Sequence, residues 1–133
     1  MEDLTVYLPR DKHDFERVDV LKNTDKSIVI ALIPQLLEWL QDINWPIAED
    51  IAKLLLQCPE ETIPHVKAVL QMDDDIWKEW CLEYFVKELP VELMASFKSD
   101  VIRISSHPTP GEVLEEVHET AKEILEIMEK RLK

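Results

Sequence analysis

The chain has 133 residues, 46% of them hydrophobic, and carries 28 acidic against 15 basic side chains for a formal charge of −13. A chain of this length fits one domain that buries about two thirds of its unfolded surface without a disulfide or metal. Its charge works against direct nucleic-acid binding, because phosphates would be repelled. Its single glycine, Gly111, leaves little material for phosphate-cradling loops or tight strand turns.

Tyr7 to Arg10 reads as extended, and Asp11 is the expected N-cap of a first helix with Asp14 as an acid in its first turn. Phe15, Val18 and Leu21 share that helix's apolar face. A second helix runs through Leu36, Leu37, Trp39 and Leu40, and Pro34 sets Ile28 to Ile33 apart as a separate short turn. The third begins near Trp45-Pro46; Ile47, Ile51, Leu54, Leu55 and Cys58 fall at offsets of 4, 7, 8 and 11, one face of an α-helix, and Pro59 stops it. The fourth carries Ile63, Val66, Val69 and Leu70. The fifth carries Trp77, Trp80, Cys81, Tyr84 and Phe85 behind Asp73, Asp74 and Asp75, acids that favour a helix N-terminus. A sixth follows Pro90 through Met94, Phe97, Val101 and Ile104. Ser105 to Pro110 reads as a linker. The last helix opens at Thr109-Pro110-Gly111-Glu112, a capping box with proline at the first position, and continues along Leu114, Val117, Ala121, Ile124 and Met128.

No segment alternates with period two, so an all-α fold is expected. Ile33-Pro34 with Leu36, Leu40 and Gln41 recurs thirty residues later as Ile63-Pro64 with Val66, Leu70 and Gln71. Short connections make paired helices antiparallel, and a helix-pair unit of this length suggests a HEAT-like solenoid, a right-handed α-α superhelix of about seven helices. The expected organisation is one all-α domain over 1–133: an N-terminal extension and helix at 1–27, helix-pair repeats at 28–104, and a C-terminal capping helix at 109–133.

Catalytic and cofactor motifs are scarce. The four histidines are scattered, and the one Glu-x-x-His, Glu115 with His118, lacks the second copy that a helical di-iron site uses. No metal or other cofactor is expected. Cys58 and Cys81 lie at apolar helical positions and read as buried thiols of a reducing compartment. Met1 to Arg10 has no long apolar run and does not read as a signal peptide. The longest apolar stretch, Ile28 to Ile33, is too short to span a bilayer, so neither membrane insertion nor export is expected and the location should be cytoplasmic.

What remains is the phrase Trp39-Leu40-Gln41-Asp42-Ile43-Asn44-Trp45-Pro46. Asp42 and Asn44 suit a turn and a cap, and the tryptophans suit packing across a helix pair. The functional alternative is that Asp42, Asn44 and Trp45, with His13 and Asp14, meet a ligand, since inter-helix turns are common sites of function. The stretch from Glu38 to Glu92 holds −9 of the net charge, and Asp73, Asp74 and Asp75 place three acids where one would cap. These eight residues form the candidate partner-binding set.

The Trp39 to Pro46 phrase, with Pro9, Asp11, Lys12, His13 and Asp14 upstream, resembles a bacterial family of similar length classified as a domain of unknown function. The family pattern reads Trp-Leu-Gln-Asp, a variable position, then Asn-Trp-Pro, and this sequence meets it without departure; the position of Arg10 is commonly lysine there. Ile63-Pro64-His65 and the Trp77 helix also fit, so the resemblance covers about Leu8 to Leu89. It implies a HEAT-like helical superhelix and no particular activity. The expected role is a non-catalytic protein-protein interaction module with an acidic surface and a basic protein as partner; its sharper form is an immunity-type inhibitor of a basic toxin. The alternative is a small-molecule or catalytic site around the Asp42-Asn44-Trp45 turn.

Overall fold

The computed structural model describes residues 3–131; the ends of the expected 1–27 and 109–133 segments lie outside the described residues. The described chain is all-helical, with no strand among its residues. It forms two compact units, the first ending at His65 and the second beginning at Val66.

In the first unit a 3₁₀ turn at Leu4–Tyr7 precedes α1 (Phe15–Lys22), α2 (Lys26–Ala31) and α3 (Ile33–Leu37). A second 3₁₀ turn at Glu38–Gln41 leads by a reverse turn to α4 (Ala48–Leu55). The apolar face read for the third helix is the centre of this core: Ile47, Ile51, Leu54, Leu55 and Cys58 are all buried. Helix α4 packs on α1 and α3, where it covers Val18, Leu21 and Leu36.

Three sequence expectations change here. The N-cap of α1 is Asp14, whose carboxylate accepts the Arg17 N–H, while the Asp11 carboxylate accepts the His13 N–H in the turn before it. The segment Ile28 to Ile33 is mostly helix, because Asp25 caps α2 by accepting the Ser27 N–H. Pro59 does not stop the third helix. That helix has already ended at Leu55, and Pro59 instead opens α5 (Pro59–Leu70), a first-turn position where its missing N–H is not needed. The buried hydroxyl of Thr62 donates to the Cys58 carbonyl at 2.8 Å across this junction. Pro34 sits in the first turn of α3 whereas Pro64 lies inside α5, so the two Ile-Pro phrases occupy different helical positions. Their burial matches in part: Leu36 and Leu40 in the first copy and Val66 and Leu70 in the second are all buried, but Ile33 is buried and Ile63 only half-buried.

The division between units falls within α5. The second unit continues with α6 (Asp75–Tyr84), α7 (Val91–Met94), α8 (Lys98–Ser106), α9 (Pro110–Leu114) and α10 (Val117–Arg131). Helix α10 packs on α8 and α6 over Cys81, Leu82, Val101, Ile104, Val117, Ala121 and Ile124. The expected linker from Ser105 shrinks to the residues between His107 and Thr109. The expected single C-terminal helix is broken: Glu116 has φ 60°, a left-handed conformation that separates α9 from α10. Leu114 therefore leaves the seam and stands 79% exposed, while Val117, Ala121, Ile124 and Met128 keep their buried places.

A buried ionic cluster ties α6, α8 and α9 together. Glu112 is fully buried, and its carboxylate accepts two hydrogen bonds from Arg103 (2.6 and 2.7 Å), one from Lys78 (3.1 Å) and one from the Thr109 N–H (2.8 Å). Those donors fill its lone-pair positions, and the Thr109–Glu112 capping box forms as the sequence implies. Lys78, 3% exposed, also donates to Asp75 at 3.0 Å. The glycine is explained here: a Cβ on Gly111 would lie 2.1 Å from Asp75 Oδ2, and that carboxylate is held by Lys78. Burial alone would raise the Glu112 carboxyl, but the bonds from Arg103, Thr109 and Lys78 more than reverse it, to about 2.

Lys78→Ala removes one charge-assisted donor from buried Glu112, which keeps Arg103 and the Thr109 N–H, so it should cost about 1.5–3 kcal/mol in urea unfolding. The depressed Glu112 carboxyl stabilises the fold above its unfolded value of about 4.5, and that contribution is lost as pH falls toward about 2. Stability titrated across this window should drop, and the drop should shrink in Glu112→Gln, which has no carboxyl to protonate.

Candidate functional site

The Trp39 to Pro46 phrase bends the chain from α3 to α4. Asp42 leaves the 3₁₀ turn with φ −143°, its carboxylate accepts the Asn44 N–H at 2.9 Å, and its carbonyl accepts the Trp45 N–H at 3.1 Å. The Trp45 carbonyl then accepts the Ala48 N–H at 2.9 Å, which starts α4. The Asp42 side chain thus carries the turn, as short polar side chains do by bonding to nearby backbone, and Asn44 supplies the backbone N–H that it accepts.

This turn brings Trp39 and Trp45 together edge to face, with ring centroids 5.4 Å apart and planes at 75°. Both indoles are half-buried and line an open groove of about 430 Å³, a volume in the range of ligand pockets. Leu8 and Pro9 form one wall of the groove. Gln35, Glu38 and Gln41 supply its polar groups. These three residues lie three apart, and in the 3₁₀ geometry of Glu38–Gln41 residues at that spacing eclipse one another.

The upstream segment is fixed against the same turn. The Ile47 N–H donates to the Lys12 carbonyl at 3.2 Å. The backbone N–H and guanidinium of Arg10 donate to the Asp14 carboxylate at 2.8, 2.8 and 3.1 Å. The guanidinium bond, opposed by desolvation and helped by the backbone donors, holds Asp14 well below the ordinary carboxylate range.

The candidate set divides accordingly. Trp45 lies in the groove. Asp42 and Asn44 shape its turn and do not line it. Asp14 is buried in the Arg10 pair and the α1 cap, and His13 is exposed in the turn before it. Asp73, Asp74 and Asp75 belong to the second unit and do equal duty neither as caps nor as surplus. Asp74 caps α6 by accepting the Trp77 N–H at 3.1 Å, Asp75 pairs with Lys78, and Asp73 is exposed. The sequence reading missed Leu8, Gln35, Glu38 and Gln41. The Gln35-Glu38-Gln41 spacing was visible, but its meaning needed the 3₁₀ turn.

Among the described residues no group of three or more His, Cys, Asp or Glu side chains is placed to hold a metal ion. Glu115 caps the end of α9 while His118 lies in α10 and contacts Glu119 at 3.1 Å, so the break at Glu116 removes the single-helix geometry of the Glu-x-x-His. Cys58 and Cys81 are both buried free thiols, and burial raises them, Cys81 beyond the usual thiol range. No helix among the described residues is long and apolar enough to cross a membrane.

These assignments separate the acids of the second unit by experiment. Asp73→Asn should leave the melting temperature unchanged within error. Asp75→Asn should lower it, because Lys78 is buried and loses a charged partner.

Compared with known families, residues 7–125 match the model described as "Domain of unknown function (DUF5071)", and the chain belongs to that family. No curated protein matches the sequence.

Proposed function

Since membership of this family brings no activity with it, we propose that the protein is a non-catalytic interaction module that binds a basic protein, with the Trp39–Trp45 groove as the contact. The observation that carries this reading is the groove itself: a half-exposed pair of indoles with a carboxylate and two amides beside it. Trp is enriched where a few residues supply most of the binding energy. The net charge of −13 favours a basic partner by steering it electrostatically, an effect on association rate above all. An immunity-type inhibitor that masks a basic toxin is one form of this role. The reading replaces the aspartate cluster by the groove as the proposed contact.

A HEAT-like helix-pair repeat remains the proposed origin of the fold, supported by the burial that Leu36 and Leu40 share with Val66 and Leu70. A small-molecule site is the second reading, and the groove volume favours it. On that reading the ligand would meet Trp39, Trp45 and Glu38, not Asp42 and Asn44.

A photo-crosslinking residue in place of exposed Gln35 tests the proposal in the native host. The expected product is a covalent adduct with a basic protein, weakened by raising salt and lost on Trp45→Ala. That variant should still fold: Trp45 is half-buried, so truncation should cost roughly 2 kcal/mol, below the 3–5 of a fully buried aromatic. No adduct, or an adduct with an acidic protein that salt leaves unchanged, would overturn the proposal.

A further inference from the structure

We infer that the Trp39–Trp45 groove takes an arginine side chain of its partner, an inference that rests on the binding role proposed above. The two indole planes stand at 75°, so the pair presents aromatic faces in two directions. Glu38 lines the same groove, is exposed, and has no ion-pair partner among the described residues. This differs from the carboxylate of Asp14 nearby, which Arg10 already occupies, and from those of Asp75 and Glu112 in the second unit, which Lys78 occupies.

An unpaired acid beside two indoles is the chemistry that receives a cation: the aromatic face attracts the charge through its quadrupole, and the carboxylate pairs with it. Among protein cations arginine fits best. Its flat guanidinium can stack on an indole while its edge makes a forked pair with a carboxylate; an ammonium can sit over a ring and meet one carboxylate, as Lys67 does over Phe97 with Asp100, but has neither the flat face nor the fork. A guanidinium also carries five N–H donors. The Glu38 carboxylate can accept two of these in a forked pair, and Gln35 and Gln41, which line the same groove, carry amide oxygens that can accept others. Leu8 and Pro9 give an apolar surface for the aliphatic stem. The net charge of −13 supplies the same sign preference at longer range.

The four indole N–H signals of ¹⁵N-labelled protein give a site-resolved test, with Trp77 and Trp80 as internal controls. The probe is blocked arginine (N-acetyl-arginine methylamide), and its neutral near-isostere is blocked citrulline. Arginine should shift the Trp39 and Trp45 signals saturably and leave those of Trp77 and Trp80 in place. Citrulline should bind at least about tenfold more weakly, as should blocked lysine to a smaller degree. Glu38→Gln should weaken arginine binding several-fold with the melting temperature unchanged, since Glu38 is exposed. Equal binding of citrulline, no saturable shift at Trp39 and Trp45, or identical binding by Glu38→Gln would each overturn the inference. Should any of these occur while the photo-crosslinked partner is still lost on Trp45→Ala, the binding role stands and the arginine assignment alone fails. Absence of both signals would remove the two together.

Discussion

The second unit is organised by one buried carboxylate. Glu112 has no exposure to solvent, and an unpaired charge there would be costly enough to prevent folding. It is accommodated because Arg103 from α8, Lys78 from α6 and the Thr109 N–H all donate to it. The full set of bonds to this carboxylate therefore forms only when α6, α8 and α9 have come together. This acts as a registration device for the unit, since a slip of α9 along α6 would break the bond between Lys78 and Glu112. The neighbouring Gly111 follows from the same constraint, because Asp75, the second partner of Lys78, occupies the space of a side chain there.

The first unit uses the same device on a smaller scale. Asp14 is buried, caps α1 and holds Arg10, so the segment before the helix is pinned at the point where Leu8 and Pro9 reach the groove. The bond between Ile47 and Lys12 completes the connection to the Trp39–Trp45 turn. The indoles are therefore held from both sides, by the turn that carries them and by the N-terminal segment beside them. A binding surface on such a scaffold loses little conformational freedom when a ligand arrives, which favours affinity.

Charge has two different uses in the molecule. Some acids are committed to structure: Asp14, Asp25 and Asp74 cap helices, and Asp75 and Glu112 are paired internally. Others, Glu38 and Asp73 among them, face solvent. Net charge therefore overstates the acidity available to a partner. Glu79 stands between these classes. Burial raises its carboxyl, the Thr120 hydroxyl donates to one of its oxygens at 2.9 Å, and the other oxygen finds no partner within the described residues.

Helical periodicity by itself determined the all-α class and most of the core. Ile47, Ile51, Leu54 and Leu55 on α4, and Val117, Ala121, Ile124 and Met128 on α10, are buried as their spacing requires, because a helix face is fixed by local geometry alone. The Thr109–Glu112 capping box was legible for the same reason, being a bond between residues three apart. Position along the chain could not reveal which acids were free. Asp73 and Asp75 look alike in sequence, and only the arrival of Lys78 and the approach of Gly111 distinguish them. Nor could it show that the Glu-x-x-His is broken, since nothing local announces the left-handed backbone at Glu116. The groove was half legible: its tryptophans stood out, but Leu8 and Pro9 reach them across more than twenty residues of intervening chain, and nothing local shows that Glu38 faces the same groove. Local bonds follow from neighbouring residues, whereas a surface made by distant segments exists only after the chain has packed.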